Sequence, residues 1–359
     1  MAQTNVENTY QQRSKRWKVT LLLLIAALVI TVIVALDIGF APISFSEILN
    51  IIGNQIPFLN GSIDPSSFST VNQAIIMQIR FPRILAGAII GAGLAASGVL
   101  YQGVFKNPMA DPFVLGVSSG SVLGAGLAIV FGSSIILLGL PIVQISAFVG
   151  GLITIFIVYN IARVSSRVSD MTLLLSGIAV TIFLSAIFHI LQVTSQNAKL
   201  HALVFWLIGG ISNITWSDIF AIFPFIFVGI ILSYFYSREL NMIALGEDTA
   251  QHLGVNTART KKIILALGSM MTAAAVSISG LIGFVGLMIP HITRLAVGPD
   301  HRILLPTSVI IGAIFLVICD SIARVITGAS ELPVGVITAL AGGPFFIFLL
   351  RRKRLSYKM

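Results

Sequence analysis

The chain is built from long apolar runs separated by short charged junctions. The run Leu21–Leu36, LLLLIAALVITVIVAL, sets the pattern. A helix needs about 20 mostly apolar residues to cross the hydrocarbon layer of a bilayer. By that rule ten stretches qualify, with limits near Val19–Leu36, Pro82–Phe105, Phe113–Phe131, Val143–Ile161, Thr172–Gln192, Ile219–Tyr236, Ile263–Ile282, Gly283–Ala296, Leu304–Ala323 and Pro333–Leu350. The eighth is short and rich in Gly and Pro. Only 10% of the residues are charged and 56% are hydrophobic, whereas a soluble domain is about a quarter charged. The sequence therefore predicts an all-α polytopic membrane protein: one transmembrane domain over 19–352, with tails at 1–18 and 353–359. The N-terminal run resembles a signal peptide, but it is longer than a usual apolar core and lacks a small-x-small cleavage site after it, so it is read as a retained span.

Charge sets the expected orientation. With the N-terminus inside and the spans alternating, 18 of the 22 basic residues fall in cytoplasmic segments and both termini are cytoplasmic. Excess Lys and Arg on the cytoplasmic side favours this topology over its inverse. The net charge of +9 is thus a matter of membrane orientation and lipid contact, and nucleic acid is not expected as a partner. The exceptions are Arg80, Arg83, Lys199 and Arg324, which fall outside. Arginines at span ends can snorkel to headgroups or cap a helix. They can equally form a cationic docking face, because a guanidinium pairs bidentately with carboxylates.

The sequence contains no phosphate-cradling G-x-x-x-x-G-K-[ST] loop and no H-E-x-x-H, and its five histidines are scattered. No catalytic constellation, metal site or cofactor is expected, and the chain is not read as an enzyme. The one cysteine, Cys319, excludes an intrachain disulfide and reads as a packing residue. Gly87 and Gly91 form a G-x-x-x-G step of the kind that lets helices approach closely. Asp320 and Arg324, four apart, are expected to pair along one helix.

Three polar patterns remain. Thr181, Ser185, His189, Gln192 and Gln196 are spaced to share one helix face, where they either line a path or bond between helices. The segment SRELNMIALGEDTAQHLGVNTARTKK predicts short helices carrying an apolar stripe of Met242, Leu245, Ala250 and Leu253. Such an element lies on the membrane surface or fits a groove on a soluble partner; acidic Glu247 and Asp248 disfavour anionic lipid and so favour the partner. Finally, SISGLIGFVGLMIPHITRLAVGPDHRILLP predicts a broken helix, a feature tolerated where backbone is buried in protein or lines a cavity.

Four ordered pieces carry a resemblance: RFPRILAGAIIGAGLAASGVLYQGVFKNPMADPFVLGVSSG, LGEDTAQHLGV, GLIGFVGLMIPHITRLAVGPDHRILLP and ELPVGVITALAGGPFFIFLL. Together they make the chain, from about Ile75 to Leu350, similar to the FecCD-type permeases, the membrane subunits of ABC importers for iron–siderophore complexes, haem and cobalamin. The resemblance implies a ten-span subunit in the cell membrane, paired with a second permease subunit as a homodimer or heterodimer. It also implies two cytoplasmic ATP-binding subunits, where the ATPase activity resides, and an extracytoplasmic substrate-binding protein. Iron–siderophore is the expected cargo, with haem or cobalamin as alternatives. By the same resemblance, Arg80, Arg83 and Arg324 would meet the binding protein. Leu245, Gly246, Glu247, Asp248, Leu253 and Gly254 would couple to the ATPase, and Ser169, Asp170, Met171 and Thr172 would form a cytoplasmic gate. Asp170 and Met171 stand where a cobalamin-type member would carry small hydroxyl residues. From a different class, an ion-gradient-driven secondary transporter would place ionisable residues near the bilayer midplane, and only Asp320 is a candidate.

Overall fold

The structure is a computed structural model that describes residues 2–39, 41–55, 68–132, 134–164, 167–326 and 331–356. It is a helical bundle. Each of the ten expected spans corresponds to a helix: α1 (Ala2–Asp37), α4 (Phe81–Val104), α5 (Val117–Phe131), α6 (Ile142–Ala162), α7 (Asp170–Thr194), α9 (Trp216–Phe235), α12 (Thr257–Ser279), α13 (Val285–Val297), α14 (His301–Val325) and α15 (Val334–Ser356). Among the described residues, seven of the helical stretches are long and apolar enough to cross a membrane, while α5, α13 and α15 offer shorter apolar segments. α1 starts at Ala2 and α15 runs to Ser356, so neither expected tail boundary is a break in the backbone. The other helices are α2 (Phe45–Asn54), α3 (Thr70–Ala74), α8 (Asn197–Ile208), α10 (Ser237–Ala244) and α11 (Glu247–His252). At ~1.5 Å per residue, α8 is too short to cross the hydrocarbon layer. Two antiparallel pairs, β1 (Ile136–Leu137) with β2 (Leu140–Pro141) and β3 (Arg163–Val164) with β4 (Arg167–Val168), close turns between helices.

α4 is the axis of the bundle: 83% of its most apolar stretch is buried, against 22% for α6 and α7 and 11% for α1. Its small residues are the reason. A Cβ on Gly91 would lie 2.2 Å from the Gly312 carbonyl of α14, and one on Gly98 would lie 1.8 Å from the Gly286 carbonyl of α13. Without side chains at these points, backbones touch and dispersion contacts replace lipid. Around this contact Ile90, Leu94, Ile226, Met288, Leu316 and Cys319 form one buried cluster. The expected roles of Gly91 and Cys319 in packing are borne out.

Two irregularities interrupt the regular helices. α3 passes into α4 through a π-turn, Ile75–Arg80. Its freed Met77 carbonyl accepts the Trp216 indole N–H at 2.9 Å. The expected broken helix is present: α12 stops at Gly280 (φ +65°), and α13 starts after Phe284 (φ +68°). Main-chain bonds within the protein satisfy the termini around it, from Gly210 N–H to the Ser279 carbonyl at 2.8 Å and from Gly335 N–H to the Gly209 carbonyl at 3.1 Å. Irregular backbone at membrane depth survives where protein supplies these partners.

Candidate functional site

α4 spans about 36 Å at 1.5 Å per residue, which separates two ends of the bundle. Arg83 and Arg324 mark one, the arginine end. Lys106 and Lys261 mark the other, the lysine end. Polar networks are concentrated at both.

At the arginine end the three guanidiniums are buried, 4–5% exposed. Arg83 Nε donates to Asp320 Oδ1 at 2.9 Å, and its Nη1 pairs with Glu331. Arg324 pairs with Asp320 at 3.2 Å along α14, as the four-residue spacing predicts. Other donors of Arg80 and Arg324 reach carbonyls at and just beyond the C-terminus of α1. Arg80 donates to the Leu36 carbonyl at 2.8 Å, and Arg324 donates to the Ile38 carbonyl at 2.7 Å and the Ala35 carbonyl at 3.1 Å. The last carbonyls of a helix have no intrahelical partner and carry partial negative charge, so cations suit them. Lys199, the fourth cation expected outside, likewise donates to the Val130 carbonyl near the end of α5. All four exceptions to the charge asymmetry thus have internal partners, and helix capping is realised at Arg80, Arg324 and Lys199. Beside Arg83 lies a cavity of ≈ 360 Å³, lined in part by Gln144, Asp218, Ser279 and Glu331.

At the lysine end the short helices are built as expected but their apolar faces divide differently. Ile243, Ala250 and Val255 form a small core with Met242 against it. Leu245 and Leu253 point the other way, 70% and 59% exposed. The expected single stripe of Met242, Leu245, Ala250 and Leu253 is therefore corrected. The cause is Gly246, at φ +124° and ψ 145°, a backbone region open essentially to glycine alone, which breaks the helical phase between Leu245 and Ala250. Asp248 and Gly254 are exposed beside the leucines, while Glu247 turns back toward the bundle. The unit is anchored by Asn241, whose amide donates to Asp300 Oδ1 at 2.7 Å and accepts from the His301 N–H at 2.9 Å. Burial opposes the charge on Asp300, yet hydrogen bonds from Arg302 and Asn241 hold its carboxyl down to about 2.

The expected gate residues lie at this same end. Ser169 is the N-cap of α7, and Asp170, Met171 and Thr172 form its first turn. Met171 is exposed and Asp170 half-buried. Asp170 meets Lys261 Nζ at 2.7 Å, and Lys261 Nζ also meets Glu247 at 2.6 Å. The structure thus brings together Asp170 and Glu247, from separate segments of the chain, on a lysine that the sequence places only among the general cytoplasmic cations. The signal was present: Thr257, Thr260, Lys261, Ile264, Leu265 and Gly268 recur at helical spacing, so Lys261 lies in the buried stripe of α12. A cleft of ≈ 410 Å³ opens beside this triad.

Of the five residues expected on one face of α7, four share it. Thr181 and Ser185 are half-buried, His189 is exposed, and His189 Nδ1 lies 2.8 Å from Gln192 Oε1. Gln196 does not share the face. α7 ends at Thr194, the chain turns extended at Ser195, and Gln196 is the N-cap of α8. Thr194 and Ser195 bond back to carbonyls of the preceding turn, a local competition that helps end the helix.

The model of the FecCD transport family matches residues 27–352. The chain belongs to that family. It is therefore a membrane permease of the ABC importer type, in which ATP hydrolysis lies in partner subunits. Among its relatives, the cobalamin import system permease BtuC of Halobacterium salinarum is 48% identical over 283 residues, covering 79% of this chain and 75% of that one. The hemin transport system permease HmuU of Yersinia pestis is 38% identical over 281 residues, 78% and 84% of the two chains. A solved structure of a metal-chelate type ABC transporter in an inward-facing conformation matches with a TM-score of 0.78 at 35% identity, over 92% of this chain and 98% of that one.

Proposed function

We propose that this chain is the permease subunit of a binding-protein-dependent importer that carries an iron–siderophore complex into the cytoplasm. Family membership supports the importer. The observation that carries the working arrangement is the lysine end, where two exposed leucines and Asp248 project from a unit fixed to the bundle by Ile243, Ala250, Val255 and Asn241. Exposed apolar side chains beside carboxylates on a rigid mount suit a protein groove better than an anionic lipid surface. In this reading Leu245, Gly246, Glu247, Asp248, Leu253 and Gly254 dock on a cytoplasmic ATP-binding subunit, both termini are cytoplasmic, and Ser169 to Thr172 gate the inner opening. α7 exposes Leu175, Ile178, Ile182 and Phe183 next to its polar face. That face meets a second permease subunit, and Thr181, Ser185, His189 and Gln192 line the path between the two, with Gln196 at its outer rim. Nucleotide drives transport by binding the inward-open and outward-open states with different affinity.

The arginine end faces outward and receives the binding protein. Because Arg80, Arg83 and Arg324 are already engaged, docking there proceeds by exchange: an incoming carboxylate takes the place of Glu331, the most exposed partner of the trio, on Arg83. Cobalamin is a second reading of the cargo, favoured by the 48% identity to the Halobacterium permease; Asp170 and Met171 at the gate weigh against it.

Reconstitution tests the whole. Uptake into proteoliposomes is expected to require ATP, the ATP-binding subunits and the binding protein, and to survive an uncoupler. Uncoupler-sensitive uptake without ATP would instead favour a secondary transporter. Identifying the small molecule that co-purifies with the binding protein separates iron–siderophore, haem and cobalamin.

A further inference from the structure

Lys261 is an unusual lysine. Its side chain is 11% exposed, it sits in the buried stripe of α12, and two carboxylates from different elements converge on its one nitrogen: Asp170 of the first turn of α7 at 2.7 Å and Glu247 of the first turn of α11 at 2.6 Å. Lys106, just beyond the end of α4, lies 3.9 Å from the same Glu247 oxygen. A lysine is costly to bury without anions beside it, so the ammonium holds both carboxylates in place. Through it, α12 ties α11 to α7.

We infer that Lys261 is a positioning residue that transmits movement of α11 to the first turn of α7, by ion pairs that α11 and α7 share on α12. The inference rests on the reading of α11 as the ATPase contact and of 169–172 as the gate. Its mechanical content is simple. Compact, partly dry ion pairs are stiff compared with the surrounding apolar contacts, because their energy changes steeply with distance at low effective dielectric. When a partner shifts Glu247, Lys261 follows, and either Asp170 moves with it or the Lys261–Asp170 pair opens. Both outcomes bias α7 between two positions, which is what coupling between distant sites requires. The second cation, Lys106, gives Glu247 a partner if it leaves Lys261, so the triad can switch pairs without leaving a charge unpaired. The cleft of ≈ 410 Å³ beside Asp170, Glu247 and Lys261 provides space for that switch.

The test uses the full permease assembled with its ATP-binding subunits, in a Cys319→Ala background so that the introduced thiol is unique. Met171→Cys, exposed on the first turn of α7, reports gate position by its rate of maleimide labelling with and without a non-hydrolysable ATP analogue. The parent is expected to change its labelling rate on adding the analogue. Lys261→Met is expected to keep the ATP-binding subunits bound while reducing that nucleotide response about tenfold, within the range of typical site-to-site coupling. Asp170→Asn, which leaves Lys261 paired to Glu247, is expected to do the same. Lys261→Arg is expected to restore most of the response, which a purely packing role for the methylene stem would not explain, since Met supplies a similar stem. A full nucleotide response in Lys261→Met and Asp170→Asn overturns the relay while leaving the ATPase contact standing. A parent with no nucleotide response at residue 171 overturns the gate reading, and the relay with it.

Discussion

The two ends of the bundle solve the same problem, charge at a membrane boundary, in opposite ways. At the arginine end Arg83, Asp320 and Arg324 are sealed, each 5% exposed or less, and donors of Arg324 and Arg80 cap the end of α1. At the lysine end Lys261 is held between carboxylates that are 31% and 38% exposed, and Leu245 and Leu253 stand clear of the bundle. Around Asp320 the first arrangement resists movement, since opening it strands buried charge, and only Glu331 at its rim, 40% exposed, is open to exchange. The second can exchange partners with water or another protein close by. The difference shows that a cluster of cations in a membrane protein has no single meaning: burial and the identity of the acceptors decide whether it braces or couples.

The largest expected effect breaks the brace. Asp320→Ala leaves two guanidiniums without their shared carboxylate, and removing one partner of a buried ion pair costs about 3–5 kcal/mol. A marked fall in the detergent-solubilised melting temperature is expected, whereas an unchanged value would mean that the pair is wet and replaceable. Next is the central contact. Gly98→Ala puts a methyl 1.8 Å from the Gly286 carbonyl, forcing α4 and α13 apart at a cost of ~1–3 kcal/mol, read in the same melting experiment. At the lysine end Asp300 caps α14 and anchors α10, so Asp300→Ala is expected to cost ~1 kcal/mol. Its pH dependence has a defined sign. The folded carboxyl sits at about 2, below the ~3.9 of a free aspartate. Its contribution is complete above about pH 4 and fades as pH falls through about 2, so the gap between parent and variant should close only at strongly acid pH. The smallest effect on stability is the most informative about function. Leu245→Asp with Leu253→Asp should change stability by no more than ~0.5 kcal/mol, as for ordinary surface positions, yet abolish capture of the ATP-binding subunits. Retained capture would move the contact elsewhere.

The fold was largely readable because the bilayer imposes length. Nine runs of 18–24 residues and one of 14 became ten helices, and the Gly and Pro spacing of 280–290 announced the break between α12 and α13. Sequence reading failed where local backbone geometry or long-range contact decides. Gly246 separates α10 from α11, and its φ of +124° rotates Leu245 out of phase with Ala250, which spacing alone cannot express. Gln196 satisfied the helical period yet fell past the end of α7, because Thr194 and Ser195 close the helix on its own carbonyls. The pairing of Asp320 with Arg324 is local and was foreseen; Arg83 with Asp320, and Asp170 with Lys261, join residues far apart in sequence and left no mark in the pattern. The four cations expected outside, Arg80, Arg83, Lys199 and Arg324, all find partners inside the protein. The acceptors of Arg80, Arg324 and Lys199, carbonyls at the ends of α1 and α5, are invisible in a sequence because every residue has one.

The central claim, that the lysine end with its exposed leucines faces the cytoplasm and receives an ATP-binding subunit, is tested by a single thiol. With Cys319→Ala and Leu253→Cys, a membrane-impermeant maleimide should label inside-out vesicles and leave right-side-out vesicles unlabelled, and added ATP-binding subunit should protect the thiol. Labelling from the outside, or labelling from the inside that the subunit does not slow, would contradict it.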